Sequence, residues 1–325
     1  MEIVTKKRMM IFSGSAFPGL AREVADYLGM RLGEVQLSRF ANGEIYCRYL
    51  ESVRGADAFV IQSHADRASG MSINDHIFEQ LVMIDALRRA SAKRIVAVVP
   101  AYGYARSDKK TQSREPVAAK LMADLFTAAG EDRCMSVDLH TGQIQGFFRQ
   151  PFDHLTALPL LTGWIADNVQ GERVIVSPDA GRVRLAEKFA AHLHAPIAIL
   201  HKRRTAHNVA QILEVVGQVE GTSAILVDDM IDTAGTITQA AQVLIAHGAS
   251  RVIACATHPI LSGPAVDRLR DSVIERVVVT NTLPIPEERR LPKMVVLSIA
   301  PVLASALKAV FEDESVSEIF RGENA

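Results

Sequence analysis

Val227–Thr236 reads VDDMIDTAGT, and the chemistry of this short stretch decides the fold. Before it, Ser223-Ala224-Ile225-Leu226 is a small apolar run of the kind buried in a parallel sheet; after it, Ile237–His247 has helical spacing. A strand turning directly into a helix marks an open α/β sheet, where ligands gather at the carboxyl ends of the strands. The backbone N–H groups of Thr233, Ala234, Gly235 and Thr236 would open that helix, with its dipole behind them, and suit a phosphate. Asp228 and Asp229 would face whatever polar group hangs from it. The competing reading is a plain cap at Asp232 or Thr233 with solvated carboxylates, but two acidic side chains directly after an apolar strand are costly without a partner.

Working outward, strand and helix patterns alternate along the whole chain. The apolar runs predict strands at Met9–Ser13, Ala58–Gln62, Arg94–Val99, Met135–Leu139, Arg173–Val176, Ile197–Leu200, Ser223–Val227, Arg251–Ala256, Arg276–Val279 and Met294–Ser298. Amphipathic spacing predicts helices over Leu20–Leu28, Asn74–Ala90 and Val117–Ala129. The class is therefore α/β with largely parallel sheets. Two pairs of segments also echo one another. IFSGSAFPGLAREVADYLG from Ile11 resembles IVSPDAGRVRLAEKFAAHL from Ile175, an offset of 164 residues, and DALRRASAKRIVAVVP from Asp85 resembles AQVLIAHGASRVIACATHP from Ala241. The halves are expected to share one fold. We place the boundary near Pro151-Phe152, giving domains over residues 1–152 and 153–303, with the tail from Ala304 to Ala325 folding back on the first.

At 325 residues the chain suits two domains of about 150 residues each. Its 48% apolar and 22% charged content is that of a globular protein, and 36 basic against 37 acidic side chains leave a formal charge of −1. No global field draws it to nucleic acid or to a membrane, so any phosphate recognition must be local. Cys47, Cys134 and Cys255 are widely separated, which argues against a disulfide framework or a zinc site and implies a reducing compartment. Lys6-Lys7-Arg8 precedes only a short apolar run, so neither a signal peptide nor a membrane span is expected and a cytoplasmic location follows.

Further constellations carry chemistry. His201-Lys202-Arg203-Arg204, followed by Thr205-Ala206-His207-Asn208, is a cationic stretch directly after an apolar strand; on its own it reads equally as a solvated loop. Beside a phosphate loop its lysine offers a point charge and its arginines a fork, the pairing needed where charge builds during phosphoryl transfer. His140 closes VDLH and Asp179 sits in SPDAG, each at a strand end. Alone, His140 reads as a scaffold histidine and Asp179 as a helix cap; together they would suit a magnesium ion held through few protein ligands and substrate phosphates. Ser38–Glu44 combines the aromatic face of Phe40 with Asn42, Gly43 and Glu44, a platform for adenine and ribose, although taken alone Asn42-Gly43 signals a hairpin into Ile45-Tyr46-Cys47-Arg48. Arg106, in the loop after the strand ending at Val99, adds a cation.

The ordered series RFANGE, YGYARSDKK, SREPVAAK, VDLHTGQIQGFF, VSPDAG, HKRRTAHNVA, LVDDMIDTAGT, THPILSGPAV and SVSEIF resembles the ribose-phosphate diphosphokinases, also called phosphoribosyl pyrophosphate synthetases, over nearly the whole chain. That resemblance implies two similar type I phosphoribosyltransferase-like domains, each a mainly parallel sheet flanked by helices, in a homo-oligomer, commonly a hexamer. It implies transfer of a diphosphoryl group from magnesium ATP to ribose 5-phosphate, releasing AMP. Carried over, Lys202 and Arg204 resemble the cations of a catalytic flexible loop. Arg204, Asp228, Asp229 and Asp232–Thr236 resemble the ribose 5-phosphate site, with Asp228 on the ribose hydroxyls. His140 and Asp179 match the Mg2+ positions; Phe40, Asn42, Gly43, Glu44, Arg106 and Ser107 match the ATP site, often completed by a neighbouring subunit.

The chain departs from this pattern in places. Arg182 stands where most members carry a second glycine, Ser107 stands where glutamine is usual, and Lys109-Lys110-Thr111-Gln112 replaces an arginine-rich stretch tied to ADP and phosphate control, although Ser315 and Ser317 fit the tail motif. His64–Ile73 is longer than usual. Two rivals compete: a phosphoribosyltransferase, which leaves the doubled domain unexplained, and a non-catalytic regulatory homologue, which the intact Lys202, Arg204, Asp228 and Asp229 oppose. Without G-x-x-x-x-G-K-[ST] the chain is not an ordinary P-loop kinase.

Overall fold

The computed structural model describes residues 7–65, 70–203 and 212–320, without the side chains of 202, 203, 212 and 213. Arg204, Thr205, Ala206, His207 and Asn208 lie outside the described residues, as does the side chain of Lys202. The chain forms two compact units. The first comprises residues up to Thr156 with Thr282–Pro284 and everything from Ile299; the second comprises Ala157–Asn281 with Ile285–Ser298.

In chain order the first unit contains β1 (Met9–Ser13), α1 (Pro18–Tyr27), β2 (Val35–Arg39), β3 (Ile45–Tyr49), β4 (Asp57–Ile61), α2 (Ile73–Arg89), β5 (Arg94–Val99), α3 (Ala118–Ala129), β6 (Arg133–Val137) and β7 (Phe152–Leu155). Its sheet is parallel in the order β1-β4-β5-β6-β7, while β2 and β3 pair antiparallel as a separate hairpin. The central strands are apolar because both faces are covered: β4 is buried at every position, and in β5 only Arg94 is partly exposed. Helix α3 buries Ala119, Met122, Ala123 and Phe126 at helical spacing and stops at Gly130, whose φ of 103° is left-handed. Burying a ring such as Phe126 contributes about 1.5–3 kcal/mol.

The second unit contains α4 (Leu158–Asn168), β8 (Arg173–Ser177), α5 (Val183–Leu193), β9 (Ile197–Arg203), β10 (Ile212–Val216), β11 (Ser223–Ile231), α6 (Gly235–Ala246), β12 (Arg251–Pro259), α7 (Ala265–Asp271), β13 (Ile274–Thr280) and β14 (Met294–Leu297). Its sheet runs β10-β9-β8-β11-β12-β13-β14, with every pairing parallel except β9 with β10. After β10 the chain turns at Gly217, φ 118°, where a Cβ would lie 2.9 Å from Ala198 Cα and from the Ile197 carbonyl oxygen. Only glycine fits there.

Both units repeat one topology. The order β1-β4-β5-β6-β7 is reproduced by β8-β11-β12-β13-β14, and each unit inserts an antiparallel pair, β2–β3 or β9–β10, after its first strand and helix. The paired segments from Ile11 and Ile175 begin on β1 and β8; those from Asp85 and Ala241 run through β5 and β12. The chain's end belongs to the first unit as α8 (Ala300–Glu312) and α9 (Val316–Ile319), where Arg94 bonds both Asp57 at 2.6 Å and Asp313 at 3.0 Å. Among the described residues no helix is long and apolar enough to cross a membrane.

Sequence reading missed β2, β7 and β10 and set β6 two residues late. The two first-unit strands it missed are short and partly exposed, with only Leu155 fully buried between them, so neither offers the apolar run that announces a covered strand.

Candidate active site

β11 carries the decisive stretch farther than expected. The strand does not stop at Val227 but continues through both aspartates to Ile231. Ser223–Leu226 pairs with β8 on one side and β12 on the other; beyond Leu226 only the β12 pairing persists, to Ile231 against Pro259. Asp228 and Asp229 therefore extend past the end of the shorter β8, on an edge open toward the turn that follows β8.

That turn supplies their cation. Ser177 ends β8, and Asp179 Oδ1 accepts from the Gly181 N–H at 2.8 Å, capping a 3-10 turn over Ala180–Arg182. The turn delivers the Arg182 guanidinium to both carboxylates: Nε lies 3.0 Å from Asp228 Oδ1 and Nη2 lies 2.9 Å from Asp229 Oδ1. Asp229 is buried and Asp228 half-buried, and the Asp229 N–H also donates to Asp228 Oδ1 at 2.8 Å. Burial pushes the Asp228 carboxyl up to about 8, Asp229 pushes in the same direction, and Arg182 opposes both. The sequence singled out Arg182 only as standing in place of a second glycine; its reach to residues 228 and 229 follows from the β8–β11 pairing.

After Ile231 the loop is braced from the β12–α7 connection. Ser262 donates its N–H to the Asp232 carbonyl at 3.0 Å and its hydroxyl to the Asp232 carboxylate, while Leu261 N–H reaches the Ile231 carbonyl at 3.0 Å. Arg268 Nη1 donates to the Thr233 carbonyl at 3.0 Å, and it comes so close to Gly235 that a Cβ there would stand 3.2 Å from it. Ala234 takes a left-handed φ of 61° as it opens α6, and no side chain caps that helix. Thr233 and Thr236 are exposed. The four N–H groups from Thr233 to Thr236 thus sit at an uncapped helix start at the carboxyl end of a parallel strand, the arrangement that holds a phosphate. Sequence reading did not foresee the bracing by Ser262 and Arg268, since nothing in THPILSGPAV announces which loop it touches.

Lys202 lies in β9 near its end, against Leu213 of β10. The cationic stretch that read as a loop therefore begins inside a strand.

In the first unit, Phe40, Asn42, Gly43 and Glu44 form the β2–β3 turn: Phe40 N–H donates to the Glu44 carbonyl at 2.8 Å, Glu44 N–H donates to Asn42 Oδ1 at 3.2 Å, and Gly43 has φ 92°. The hairpin signal at Asn42-Gly43 is thus real, and it leaves the Phe40 ring 56% exposed, edge-on to Tyr46. Arg39 at the turn reaches Asp75 at 3.3 Å, and the Tyr104 hydroxyl donates to Asn74 Oδ1 at 2.5 Å. Both segments, RFANGE and YGYARS, are thereby tied to the first turn of α2, which Ser72 and Asp75 close as a capping box. Arg106 is exposed, whereas Ser107 accepts from the N–H groups of Ala118 and Ala119, so its contacts are at the start of α3.

His140 follows β6 in a loop fixed by two residues that the sequence did not mark. Asp108 Oδ2 accepts from Thr141 Oγ1 at 2.7 Å and from Gln143 Nε2 at 2.6 Å, and His154 Nε2 accepts from the Leu139 N–H at 2.9 Å, which sets that ring's tautomer. His140 belongs to the first unit and Asp179 to the second. Among the described residues no group of three or more His, Cys, Asp or Glu side chains is placed to hold a metal ion.

A doubled α/β protein with an uncapped helix start and a carboxylate pair at the carboxyl end of a parallel strand has the architecture of the open-sheet class, whose ligand crevices lie at the sheet rim. Comparison narrows the class. Residues 9–130 match the model of the N-terminal domain of ribose phosphate pyrophosphokinase, and residues 204–321 match that of the phosphoribosyl synthetase-associated domain. A ribose-phosphate pyrophosphokinase of Streptomyces avermitilis is 55% identical over 97% of each chain, and that of Bacillus subtilis is 50% identical over 97% of this chain and 98% of its own. The crystal structure of phosphoribosylpyrophosphate synthetase from Mycobacterium smegmatis superposes with a TM-score of 0.89 at 52% identity, covering 94% of this chain and all of the other. The chain belongs to the ribose-phosphate pyrophosphokinase family. It is an enzyme, a transferase of the kinase type that serves nucleotide biosynthesis.

Proposed function

We propose that the protein transfers the β,γ-diphosphoryl group of Mg-ATP to the anomeric hydroxyl of ribose 5-phosphate, giving 5-phosphoribosyl 1-diphosphate and AMP. The observation that carries this reading is the junction of β11 and α6, where a carboxylate pair and four helix-start N–H groups follow one another on one strand. In the proposal the Thr233–Thr236 N–H groups hold the 5-phosphate, and Asp228 and Asp229 accept from the vicinal hydroxyls. The second unit thus holds the sugar, and the first, through Phe40, Asn42, Gly43, Glu44, Arg106 and Ser107, holds ATP. Lys202 and Arg204 close over the transferred group and stabilise the charge that spreads on its oxygens.

No covalent intermediate is needed: the anomeric oxygen attacks the β-phosphorus in line, the β-to-α bridging bond breaks with its electron pair on AMP, and the hydroxyl proton leaves to solvent. The residues' work is to align two anions and keep water away. By family resemblance a magnesium ion would be held through the His140 imidazole and the Asp179 carboxylate, whose Oδ1 also accepts the Gly181 N–H, the few protein ligands Mg2+ takes when phosphates complete its shell. When bound it would neutralise charge on the diphosphoryl oxygens. By family resemblance the protein works as a homo-oligomer, a hexamer.

The test is to incubate the purified protein with ATP and magnesium, with and without ribose 5-phosphate, and to separate the nucleotides. AMP formed only with the sugar supports the reading. Absence of AMP, or release of diphosphate from the diphosphorylated sugar when a base is supplied in place of ATP, overturns it.

A further inference from the structure

Two carboxylates on successive residues, one buried and one half-buried, need a positive partner. Here one guanidinium serves both. Arginine's fork commonly grips the two oxygens of a single carboxylate, but Arg182 splits its edge, Nε to Asp228 and Nη2 to Asp229, at 3.0 and 2.9 Å. Its side chain is only 18% exposed and reaches the pair from a turn pinned by the Asp179 cap, so the charge is built into the fold. A +1 group between two carboxylates also occupies the position a divalent cation would take: hard cations choose carboxylate oxygens, and one oxygen from each of these two lies against the same guanidinium edge.

The geometry points to Arg182 as a resident cation that excludes a divalent metal ion from the Asp228–Asp229 pair, so that the removal of its charge creates a metal site there. This shares residues with the sugar-binding reading above but does not depend on the reaction. A failed metal count would leave the transfer chemistry standing, and a failed assay for AMP would leave the count.

The experiment titrates substrate-free protein with Mn2+ and counts bound ions per chain by electron paramagnetic resonance. Arg182→Gly is expected to bind one Mn2+ more per chain than the native protein, Arg182→Lys to return to the native count, and Arg182→Gly with Asp228→Asn to lose the added ion. Native protein and Asp228→Asn should bind the same number. Equal counts for Arg182→Gly and native protein, or an added ion that survives Asp228→Asn, overturn the proposal, as does loss of an ion from the native protein on Asp228→Asn. Arg182→Gln, which keeps the side chain's bulk without its charge, repeats the count if the glycine variant fails to fold.

Discussion

Asp228→Asn should damage the enzyme while strengthening the fold. Burial raises the carboxyl of Asp228 from 3.8 to about 8, so near pH 7.5 the folded protein holds a group that would rather carry its proton. At about 1.4 kcal/mol per pKa unit, relief of that burden has a ceiling of several kcal/mol. Arg182's pull is already contained in that shift, and part of the ceiling is forfeited because an amide is a poorer partner than a carboxylate for the Arg182 and Asp229 N–H donors. A net gain of about 1–3 kcal/mol remains, and each kcal/mol raises the melting temperature by roughly 2–4 °C for domains of this size. Function moves the other way. Vicinal hydroxyls bound to a carboxylate lose about 2–4 kcal/mol when the acceptor becomes a neutral amide, which lowers kcat/KM for ribose 5-phosphate roughly 30- to 700-fold. Calorimetry on the ligand-free variant and steady-state kinetics with ribose 5-phosphate varied at saturating ATP read the two effects. A melting temperature lowered by many degrees with kcat/KM for the sugar untouched would show that Asp228 is a structural group and refute the reasoning.

Lys202→Ala should reduce kcat far more than it raises either KM, since its charge is needed when the diphosphoryl oxygens gain charge; an equal loss in both parameters, or none, would count against that role. Gly217→Ala should lower the unfolding free energy by about 1–3 kcal/mol, because its φ of 118° and the 2.9 Å approach to the β9 backbone both resist a Cβ; an unchanged midpoint in urea would contradict the strain. Glu131 is buried and its carboxyl is raised to about 7, chiefly by that burial. The folded state then binds more protons through Glu131 than the unfolded chain between about pH 4.5 and 7, so stability through this group falls as pH rises across that window. The melting temperature of Glu131→Gln relative to native protein should therefore climb from pH 5 to pH 8, and a constant or shrinking gap would contradict the assignment.

The frame of the fold was legible because covered parallel strands are written as apolar runs: β1 and β5 fall on Met9–Ser13 and Arg94–Val99 as expected. The hairpin β2–β3 was half legible, through Asn42-Gly43, because its turn needs a positive φ at Gly43, while Val35–Arg39 carries no apolar signal of its own. The end of β11 was not legible, since Asp228 and Asp229 look like a loop and their place in the strand depends on β12 continuing beside them to Pro259. In the candidate site, the helix start at Thr233–Thr236 could be read from local chemistry alone. Arg182 could be seen as an intruder, but the carboxylates it serves could not be named, because sequence spacing carries no distance between residues 182 and 228. The same holds for Asp108, Ser262 and Arg268, polar residues whose partners lie on loops from other strands.

The account stands or falls on which bond of ATP is broken. ATP labelled with 32P at the β-phosphorus, incubated with the protein, magnesium and ribose 5-phosphate, should deliver its label to the sugar, leaving unlabelled AMP in equal amount. Label retained in the nucleotide fraction as ADP, with the sugar phosphate unlabelled, would contradict diphosphoryl transfer.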